Sequence, residues 1–186
     1  MSDETPNGDA AVRQLRALIG KPIGNPSVAP DPVNQPMIRH WAAAFEDHNP
    51  VYTDPHRAAS SRFAGIVAPP MMLQTWTMAT PKISGIKERG GAPVEFTANP
   101  LAVLDEAGFI ATLATNSEVE VIRYLRLGEA ITSTMALESI SDLKQTRIGR
   151  GYFITWVTTY RDERGEMIGR QMFRIFKFVP DLALLS

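Results

Sequence analysis

The stretch FEDHNPVYTDPHRAA, residues 45–59, carries the strongest chemical signal in this sequence. It contains two aspartates, two histidines and an Asn-Pro pair within fifteen residues, directly after a run that looks helical. Carboxylate and imidazole groups this close together are typical of acid/base sites. Aspartate and Asn-Pro are equally typical of turns and helix starts. The residue that decides between an acid/base site and the polar end of a helix is Tyr52, at the centre of the stretch.

The composition excludes several classes of function. The 186 residues suit one domain, and a formal net charge of −1 gives no basic field for nucleic acid or an anionic membrane. There is no cysteine and the three histidines form no metal-binding pattern, so we expect no metal and no other cofactor. The acidic, polar N-terminus resembles no signal peptide, and no apolar run is long enough to span a bilayer. We therefore expect a cytoplasmic protein.

Positive charge is dispersed, and its densest cluster is modest. This cluster consists of Arg123, Arg126, Lys144, Arg147 and Arg150. If this cluster binds a ligand, its size favours one small anionic molecule over a polymer. The simpler explanation is that these side chains lie on a solvated edge of the sheet.

The N-terminal part is expected to form a tail, a short helix and a loop. Residues 1–10 are predicted to be disordered, and AAVRQLRALIG to form an amphipathic helix that ends at Gly20. Residues 21–36 contain five prolines, which predict an extended loop because proline removes backbone donors and disfavours helix before it.

Two longer helices are expected before residue 100. MIRHWAAAFED is predicted to be helical with Asn34 as its N-cap and with Met37, Trp41 and Phe45 on its core face. MMLQTWTMAT is apolar on nearly every side, which predicts a buried helix. A loop rich in Gly and Pro over residues 80–100 precedes LAVLDEAG, a further helical turn.

After Gly108 the sequence becomes typical of strands. The runs rich in Thr, Val, Ile and aromatic residues are FIATLATNS, EVEVIRYLRL, EAITSTMALESIS, YFITWVTTYRD and MIGRQMFRIFKFV. DERGE predicts a hairpin turn between the last two. Helices followed by long antiparallel strands predict an α+β fold rather than alternating β/α units.

Two segments, FEDHNPVYTDPHRAA and GIVAPPMM, together resemble the hydratase motif of the MaoC-like enoyl-CoA hydratases and dehydratases. The family pattern is Gly-Asp-x-Asn-Pro-x-His, followed by a Gly-containing turn that opens a central helix. The resemblance implies a hot-dog fold, a curved antiparallel sheet wrapped around that helix, over residues 31–186, after a disordered tail and short helix over residues 1–30. It also implies hydration of a 2-enoyl-CoA thioester, in which Asp and His activate a water and the helix N-terminus binds the thioester oxygen.

The motif is incomplete at two positions. Asp47 and Asn49 match the family's aspartate and asparagine, but Tyr52 stands in the place of the catalytic histidine. A phenol has a pKa near ~10 and is no ready base at pH 7. Pro70 stands in the place of the oxyanion glycine and has no N–H to donate, although Met71 could still supply a donor. These departures predict a chain that has kept the fold and lost the complete catalytic site.

Other residues receive weaker roles. His48 and His56 are expected to be solvated loop histidines rather than replacements for the missing base. Met71, Met72 and Trp76 are candidates for substrate binding, because Met-rich surfaces adapt to irregular ligands, although ordinary core packing is the simpler explanation. The segment over residues 83–98 is either a cover for the site or an ordinary surface loop.

Within the family, the resemblance is closest to the non-catalytic MaoC-like subunit of the bacterial steroid side-chain enoyl-CoA hydratase. The segments that carry it are DPVNQPMIRHW, NPVYTD, GIVAPPMMLQTWTM, LATNS, RYLRLGE, KQT and RIFKFVP. The resemblance implies a hetero-oligomeric double hot dog, in which a catalytic MaoC-like subunit supplies an intact Asp/His pair. It also implies an acyl-CoA thioester ligand with a bulky ring system. Members of this group often carry a C-terminal zinc-ribbon and OB-fold module, and these 186 residues contain no cysteine for it, so either the module has been removed or this member never had it.

Two alternatives stay open at this point. One is a self-sufficient homodimeric acyl-CoA hydratase or dehydratase that uses Asp47 with a nearby histidine. The other is an acyl-CoA-binding or sterol-binding protein without a reaction. The sequence favours the non-catalytic subunit over both, because the base and the oxyanion donor are altered together.

Overall fold

A computed structural model describes residues 8–88 and 99–181 of the chain. Within these residues the helices come first and the long strands follow, as the sequence predicts, except that a two-residue strand, β1, lies in the loop between the first two helices. The helices are α1 (Asp9–Arg16), α2 (Gln35–Ala44), α3 (Pro50–Thr53), α4 (Pro55–Ala59) and α5 (Ala102–Glu106), with 3-10 turns at Pro70–Met72 and Thr75–Thr77. The strands are β1 (Ser27–Val28), β2 (Ala111–Val121), β3 (Ile131–Ile140), β4 (Lys144–Thr146), β5 (Gly149–Asp162) and β6 (Met167–Pro180).

The strands form one antiparallel sheet in the order β1-β3-β5-β6-β2, and β4 pairs with the start of β5. The long strands β5 and β6 are joined by the DERGE turn that the sequence predicts. In this turn the Asp162 N–H donates to the Glu166 carbonyl at 3.0 Å, and the Gly165 N–H donates to the Asp162 carbonyl at 2.9 Å. The predicted α+β architecture is confirmed.

The strand prediction was wrong at β2. The runs FIATLATNS and EVEVIRYLRL were predicted as two strands, but residues from both form the single strand β2. No Gly or Pro separates the runs, so the chain has no turn signal between them. A bulge between Ala114 and Asn116 shifts the register against β6, which disturbs the period-two pattern within one continuous strand.

Two glycines allow β5 and β6 to approach closely. A Cβ on Gly151 would lie 2.1 Å from the carbonyl oxygen of Lys177, and a Cβ on Gly149 would lie 2.1 Å from that of Val179. Both contacts are with backbone atoms of β6, which cannot rotate away. Glycine is therefore required at the start of β5 by the space between the strands.

The buried side chains form two clusters, one towards each end of the sheet. The first contains Ile38, Tyr52, Met72, Ile131 and Tyr160 among others, so α2, α3 and the first 3-10 turn pack on one end. The second cluster places buried residues of α1 and α5 against β3, β5 and β6 at the other end; its fully buried members are Leu15, Leu104, Phe109, Leu137 and Ile154. The helices thus leave the middle of this sheet face less covered than its ends.

The N-terminal helix is part of this second cluster. Ala11, Val12 and Leu15 of α1 are buried against the sheet. The helix begins at Asp9 and ends at Arg16, so the predicted disorder at residues 9 and 10 and the predicted end at Gly20 were both wrong. Residues 1–7 lie outside the described residues, and the division at residue 30 stays a prediction.

The buried face of α2 is only in part the one predicted, since of its three predicted residues Trp41 alone packs, partly buried, against the first core cluster. Asn34 caps the helix as expected, because its side-chain oxygen accepts a hydrogen bond from the Met37 N–H at 3.0 Å. However, Met37 is 41% exposed and Phe45 is 67% exposed, whereas Ile38 and Ala42 are buried. Both sets have helical spacing, so the sequence alone could not tell which one faces the sheet.

The segment MMLQTWTMAT forms two 3-10 turns in place of the continuous buried helix predicted. β-branched Thr75 and Thr77 flank Trp76, a combination with low helix propensity, and the chain is already extended at Met78. Met71 and Met78 are 61% and 58% exposed, so the segment is not buried on all sides.

Two further predictions concern neighbouring segments. The helical turn predicted at LAVLDEAG is confirmed as α5. Of the loop predicted as a cover, residues 89–98 lie outside the described residues. Among residues 8–88 and 99–181, no helix is long and apolar enough to cross a membrane.

Candidate functional site

Asp47 and Asn49 form a turn between α2 and α3. Glu46 has a positive φ of 52°, which ends α2. The Asp47 carboxylate then accepts a hydrogen bond from the Asn49 N–H at 3.0 Å, and the Asn49 side-chain oxygen accepts one from the Val51 N–H at 3.3 Å. Asn49 is thereby the N-cap of α3, with Pro50 at its first position. Both side chains contribute to local structure, which leaves one oxygen of the half-buried Asp47 carboxylate for other contacts.

Tyr52 lies directly beside this turn and is buried. Only 6% of its surface is exposed, and it belongs to the first core cluster. Burial raises the pKa of the Tyr52 phenol, the nearby Tyr124 and Asp47 raise it further, and a hydrogen bond with the Asn49 side chain lowers it in part. The net effect is a raised pKa, so the phenol is neutral at pH 7. The structure therefore brings Asp47, Asn49 and Tyr52 together, and it gives Tyr52 the protonation state of a hydrogen-bond donor rather than a base.

The histidines offer no replacement base inside this site. His48 and His56 are both exposed, and the His56 N–H donates to the Asp54 carboxylate at 2.9 Å at the start of α4. His40 is exposed on the outer side of α2. Across the described parts of the chain, no three His, Asp or Glu side chains are grouped to hold a metal ion.

The turn at Pro70 presents few backbone donors. The Met72 N–H donates to the Pro69 carbonyl at 3.0 Å, and the Leu73 N–H donates to the Pro70 carbonyl at 3.2 Å. Pro69 and Pro70 have no N–H, so Met71 carries the first N–H of the turn. Any donation to a ligand at this position would have to come from Met71.

The residues predicted to bind substrate lie in different environments. Met71 is exposed, whereas Met72 has no exposed surface and Trp76 has 5%. The Trp76 Nε1–H is buried and has no acceptor among the described residues. Met72 and Trp76 therefore support the turn from within the core, and only Met71 is directly accessible in this chain.

A cleft that the sequence analysis missed lies on the helix-covered face of the sheet, between the two core clusters. Its volume is about 220 Å³, and it is lined by residues of the second 3-10 turn, β3 and β5, including Thr77, Met78, Ser133, Met135, Thr158 and Tyr160. The period of two along each strand predicts that Ser133 and Met135, and likewise Thr158 and Tyr160, lie on one face of the sheet. It does not predict that residues 77–78 lie close to them.

Polar groups join the walls of this cleft. The Tyr160 hydroxyl donates to the Gln171 side-chain oxygen at 3.2 Å. The Gln171 amide donates to Gln74 at 3.2 Å and to Ser117 at 3.1 Å. Burial raises the pKa of Tyr160 to about 12, so this hydroxyl also stays protonated at neutral pH. The cleft therefore combines exposed methionines with a small set of fixed hydrogen-bonding groups.

One long edge of the sheet is open. β2 is the last strand in the sheet order and spans eleven residues, of which Thr112–Glu118 are all exposed. β6 pairs with one side of β2, and among the described residues no strand pairs with the other side. This edge presents unpaired backbone donors and acceptors to any strand that approaches it.

Comparisons with known proteins cover most of the chain. The family described as FAS1-like, dehydratase domain region, matches residues 17–171. A protein of Thermomonospora curvata named "Probable enoyl-CoA hydratase alpha subunit" is 41% identical over 176 residues, which cover 94% of this chain and 54% of that protein. The 3-oxo-4,17-pregnadiene-20-carboxyl-CoA hydratase alpha subunit of Mycobacterium tuberculosis is 38% identical over 171 residues, 91% of this chain and 51% of that protein. The chain thus spans about half the length of these curated relatives.

Solved structures show the same fold. A chain in the crystal structure of the ChsH1-ChsH2 complex from Mycobacterium tuberculosis matches with a TM-score of 0.76 and 36% identity, over 92% of this chain and 90% of that chain. A MaoC-like dehydratase matches with a TM-score of 0.58 and 22% identity, over 90% of this chain and 44% of that one, and at this identity it shows the fold alone. The predicted hot-dog fold is confirmed, and the chain belongs to the FAS1-like dehydratase-domain family of MaoC-like proteins.

Proposed function

We propose that this chain is the non-catalytic, substrate-shaping subunit of a hetero-oligomeric enoyl-CoA hydratase that acts on a bulky 2-enoyl-CoA, with a steroid side-chain thioester as the leading substrate. The observation that carries this proposal is the buried, neutral phenol of Tyr52 beside Asp47. Hydration needs a group that takes a proton from water near neutral pH, and a phenol with a raised pKa does not do so. The catalytic Asp/His pair would therefore come from a partner subunit.

The turn at Pro70 supports the same proposal. A thioester oxygen that becomes negatively charged needs backbone donors aimed at it. Here two consecutive prolines remove two of these donors, and the next N–H after Met71 already donates within the turn. The base and the oxyanion donors are thus both reduced in this chain, which fits a pseudo-site better than a slow but complete site.

The cleft between the two core clusters supports a role in holding the acyl group. Because residues 70–77 form two short turns, the middle of the sheet face stays accessible next to Met78 and Met135. We assign Met71 to contact with substrate, and Met72 and Trp76 to fixing the shape of the turn that carries it. An apolar ring system would then lie against methionine side chains, which adapt to irregular shapes.

The open edge of β2 and the names of relatives support a partner subunit. Two relatives are named as hydratase alpha subunits, and the structure with a TM-score of 0.76 is that of a complex. A second hot-dog chain that pairs with β2 would continue the sheet and satisfy its free backbone groups. We propose a catalytic MaoC-like subunit with an intact Asp-x-Asn-Pro-x-His motif in this position.

The test is reconstitution with such a MaoC-like protein. Loss of enoyl-thioester absorbance would be followed for each protein alone and for the mixture, with a steroid side-chain enoyl-CoA and a short enoyl-CoA as substrates. We expect turnover only in the mixture and faster turnover of the bulky substrate. Replacing the partner's motif histidine with alanine should lower the rate at least ~100-fold, whereas Tyr52→Phe in this chain should leave it unchanged.

Two other outcomes would overturn the proposal. Turnover by this chain alone, lost in Asp47→Asn and in either His48→Ala or His56→Ala, would show a complete site with a replacement base. Tight binding of the acyl-CoA without turnover in any mixture would show a binding protein. The Tyr52→Phe variant serves as the matched control in each case, because it removes one hydroxyl and keeps the ring in the core.

A further inference from the structure

A second cleft lies next to the Asp47–Tyr52 site, on the side of the β2–β3 loop. Its volume is about 390 Å³, and its walls include Arg62, Phe63, Val67, Arg123, Tyr124 and Arg126. The Val67 N–H donates to the Val51 carbonyl in α3 at 3.4 Å, and Tyr124 is close enough to raise the pKa of Tyr52. The cleft therefore adjoins the candidate site but is formed by different side chains.

The arginines of this cleft differ in whether acidic side chains neutralise them. Arg123 donates to both oxygens of Glu129 at 2.8 and 3.1 Å and to Asp162 at 2.9 Å, so two carboxylates neutralise its charge. Arg62 and Arg126 are exposed, and neither has an acidic partner among the described residues. Two uncompensated guanidinium groups thus remain at the mouth of one cleft, which favours an anionic ligand.

Two aromatic rings, those of Phe63 and Tyr124, form part of the wall of the same cleft. The rings of Phe63 and Tyr124 lie 4.6 Å apart at 42°, and both side chains are partly buried against the first core cluster. The Arg62 guanidinium lies 4.8 Å above the Phe63 ring, so a cation–π contact holds it in place before any ligand binds. A flat heterocycle can stack on such rings, while phosphate groups pair with the arginines.

We propose that this cleft binds the nucleotide end of a coenzyme A thioester, with Arg62 and Arg126 at its phosphates and the Phe63–Tyr124 pair against its adenine. This inference rests on the proposed function, since it names where the acyl-CoA is held outside the reacting centre. A small ligand fits better than a polymer, because the chain has a net charge of −1 and only two free cations are among the described residues that line the cleft. Guanidinium groups beside aromatic rings match a phosphorylated base better than inorganic phosphate alone.

The first experiment measures binding to this chain by isothermal titration calorimetry. The probes are coenzyme A, its 3′-dephospho form, ADP and inorganic phosphate, each with the wild type and with Arg62→Gln and Arg126→Gln. We expect coenzyme A to bind most tightly, the 3′-dephospho form to bind more weakly, and each substitution to weaken coenzyme A binding about fivefold. Arg147→Gln is the matched control, because Arg147 is exposed at the opposite end of the sheet, beside β4.

The second experiment separates this inference from the proposed function. In the reconstituted pair, Arg62→Gln and Arg126→Gln should raise KM for the acyl-CoA about fivefold and leave kcat unchanged. An active pair whose KM is unaffected by both substitutions overturns the nucleotide site and leaves the proposed function standing. An inactive pair whose chain still binds coenzyme A through these arginines overturns the proposed function alone. Equal affinity for ADP and coenzyme A, or no weakening in either variant, overturns the assignment to coenzyme A.

Discussion

Replacing the buried Lys177 with methionine tests how the segment around α5 is held on the sheet. Lys177 is 5% exposed in β6, and its ammonium group donates to Asp105 at 2.5 Å, to the Thr112 hydroxyl at 3.1 Å and to the Ile110 carbonyl at 3.3 Å. Lys177→Met keeps the length of the aliphatic chain and removes all three donors. The substitution therefore isolates the hydrogen bonds from the packing.

The expected loss of stability in Lys177→Met depends on how exposed the hydrogen-bond partners of Lys177 are. A hydrogen bond between charged groups contributes about 1.5–3 kcal/mol and a neutral one about 0.5–1.5 kcal/mol, while burying methionine in place of an ammonium group recovers part of the loss. Asp105 keeps 40% of its side chain exposed, so water can hydrate it after the change. The expected decrease in the free energy of unfolding is thus about 2 kcal/mol.

Equilibrium urea unfolding, followed by tryptophan fluorescence, measures this decrease. Lys144→Met is the control, because Lys144 is exposed in β4 and its replacement should change stability by less than about 0.5 kcal/mol. A double-mutant cycle with Asp105→Asn should give a coupling energy of at least about 0.5 kcal/mol. A Lys177→Met variant as stable as the wild type would refute the reasoning, since the ion pair would then only offset its own desolvation.

Three further substitutions test local features. Burial by itself would raise the pKa of Asp162, but hydrogen bonds from the Glu166 N–H, the Arg123 side chain and the Arg164 N–H outweigh it and lower this pKa. The stabilising effect of the Asp162 carboxylate is therefore present above pH ~4 and is lost as pH falls further. Asp162→Asn should therefore flatten the fall of urea-unfolding stability below pH ~4, and an unchanged slope would contradict this. Gly151→Ala should lower the free energy of unfolding by more than about 3 kcal/mol in the same assay, whereas Gly24→Ala, where a Cβ meets open space, should lower it by about 1 kcal/mol. Equal decreases for the two variants would contradict the close approach of β5 and β6. Because the folded pKa of Tyr160 is about 12, stability falls as pH rises above ~10, and Tyr160→Phe should remove part of that fall in an alkaline unfolding series.

Local chemistry made the turns and the motif predictable. Asn34 could be predicted as a helix cap because its side-chain oxygen can accept a hydrogen bond from the backbone N–H three residues later. The hairpin turn at DERGE could be predicted because glycine is common where a turn needs a positive φ, and Gly165 has such a φ in the structure. A turn or helix start at Asp47 and Asn49 was one of the two readings of the motif, because aspartate and Asn-Pro are typical of such positions. In each case the deciding contacts lie within five residues of sequence.

Features that depend on distant contacts were not predictable. Of Met37, Trp41 and Phe45, which share one helical spacing, Trp41 packs partly buried against the first core cluster, while the Phe45 ring, 4.4 Å from that of Trp41, stays exposed. The apolar run after Pro70 indicated a helix, but its packing against the sheet is satisfied by Met72 and Trp76 in two separate turns. Each of the two clefts is formed by several segments that are distant along the chain, so no pattern within one segment could show them.

The open edge of β2 also bears on which chain can pair with it. Its eleven residues, ATLATNSEVEV, contain two glutamates and no basic residue, and Arg170 of β6 neutralises Glu120 but leaves Glu118 exposed. Two copies that pair antiparallel near Val119 would bring acidic side chains together, which weakens self-association. A different chain with basic residues on its own edge would be preferred. Copies left without such a chain would keep this edge and its unpaired backbone groups exposed.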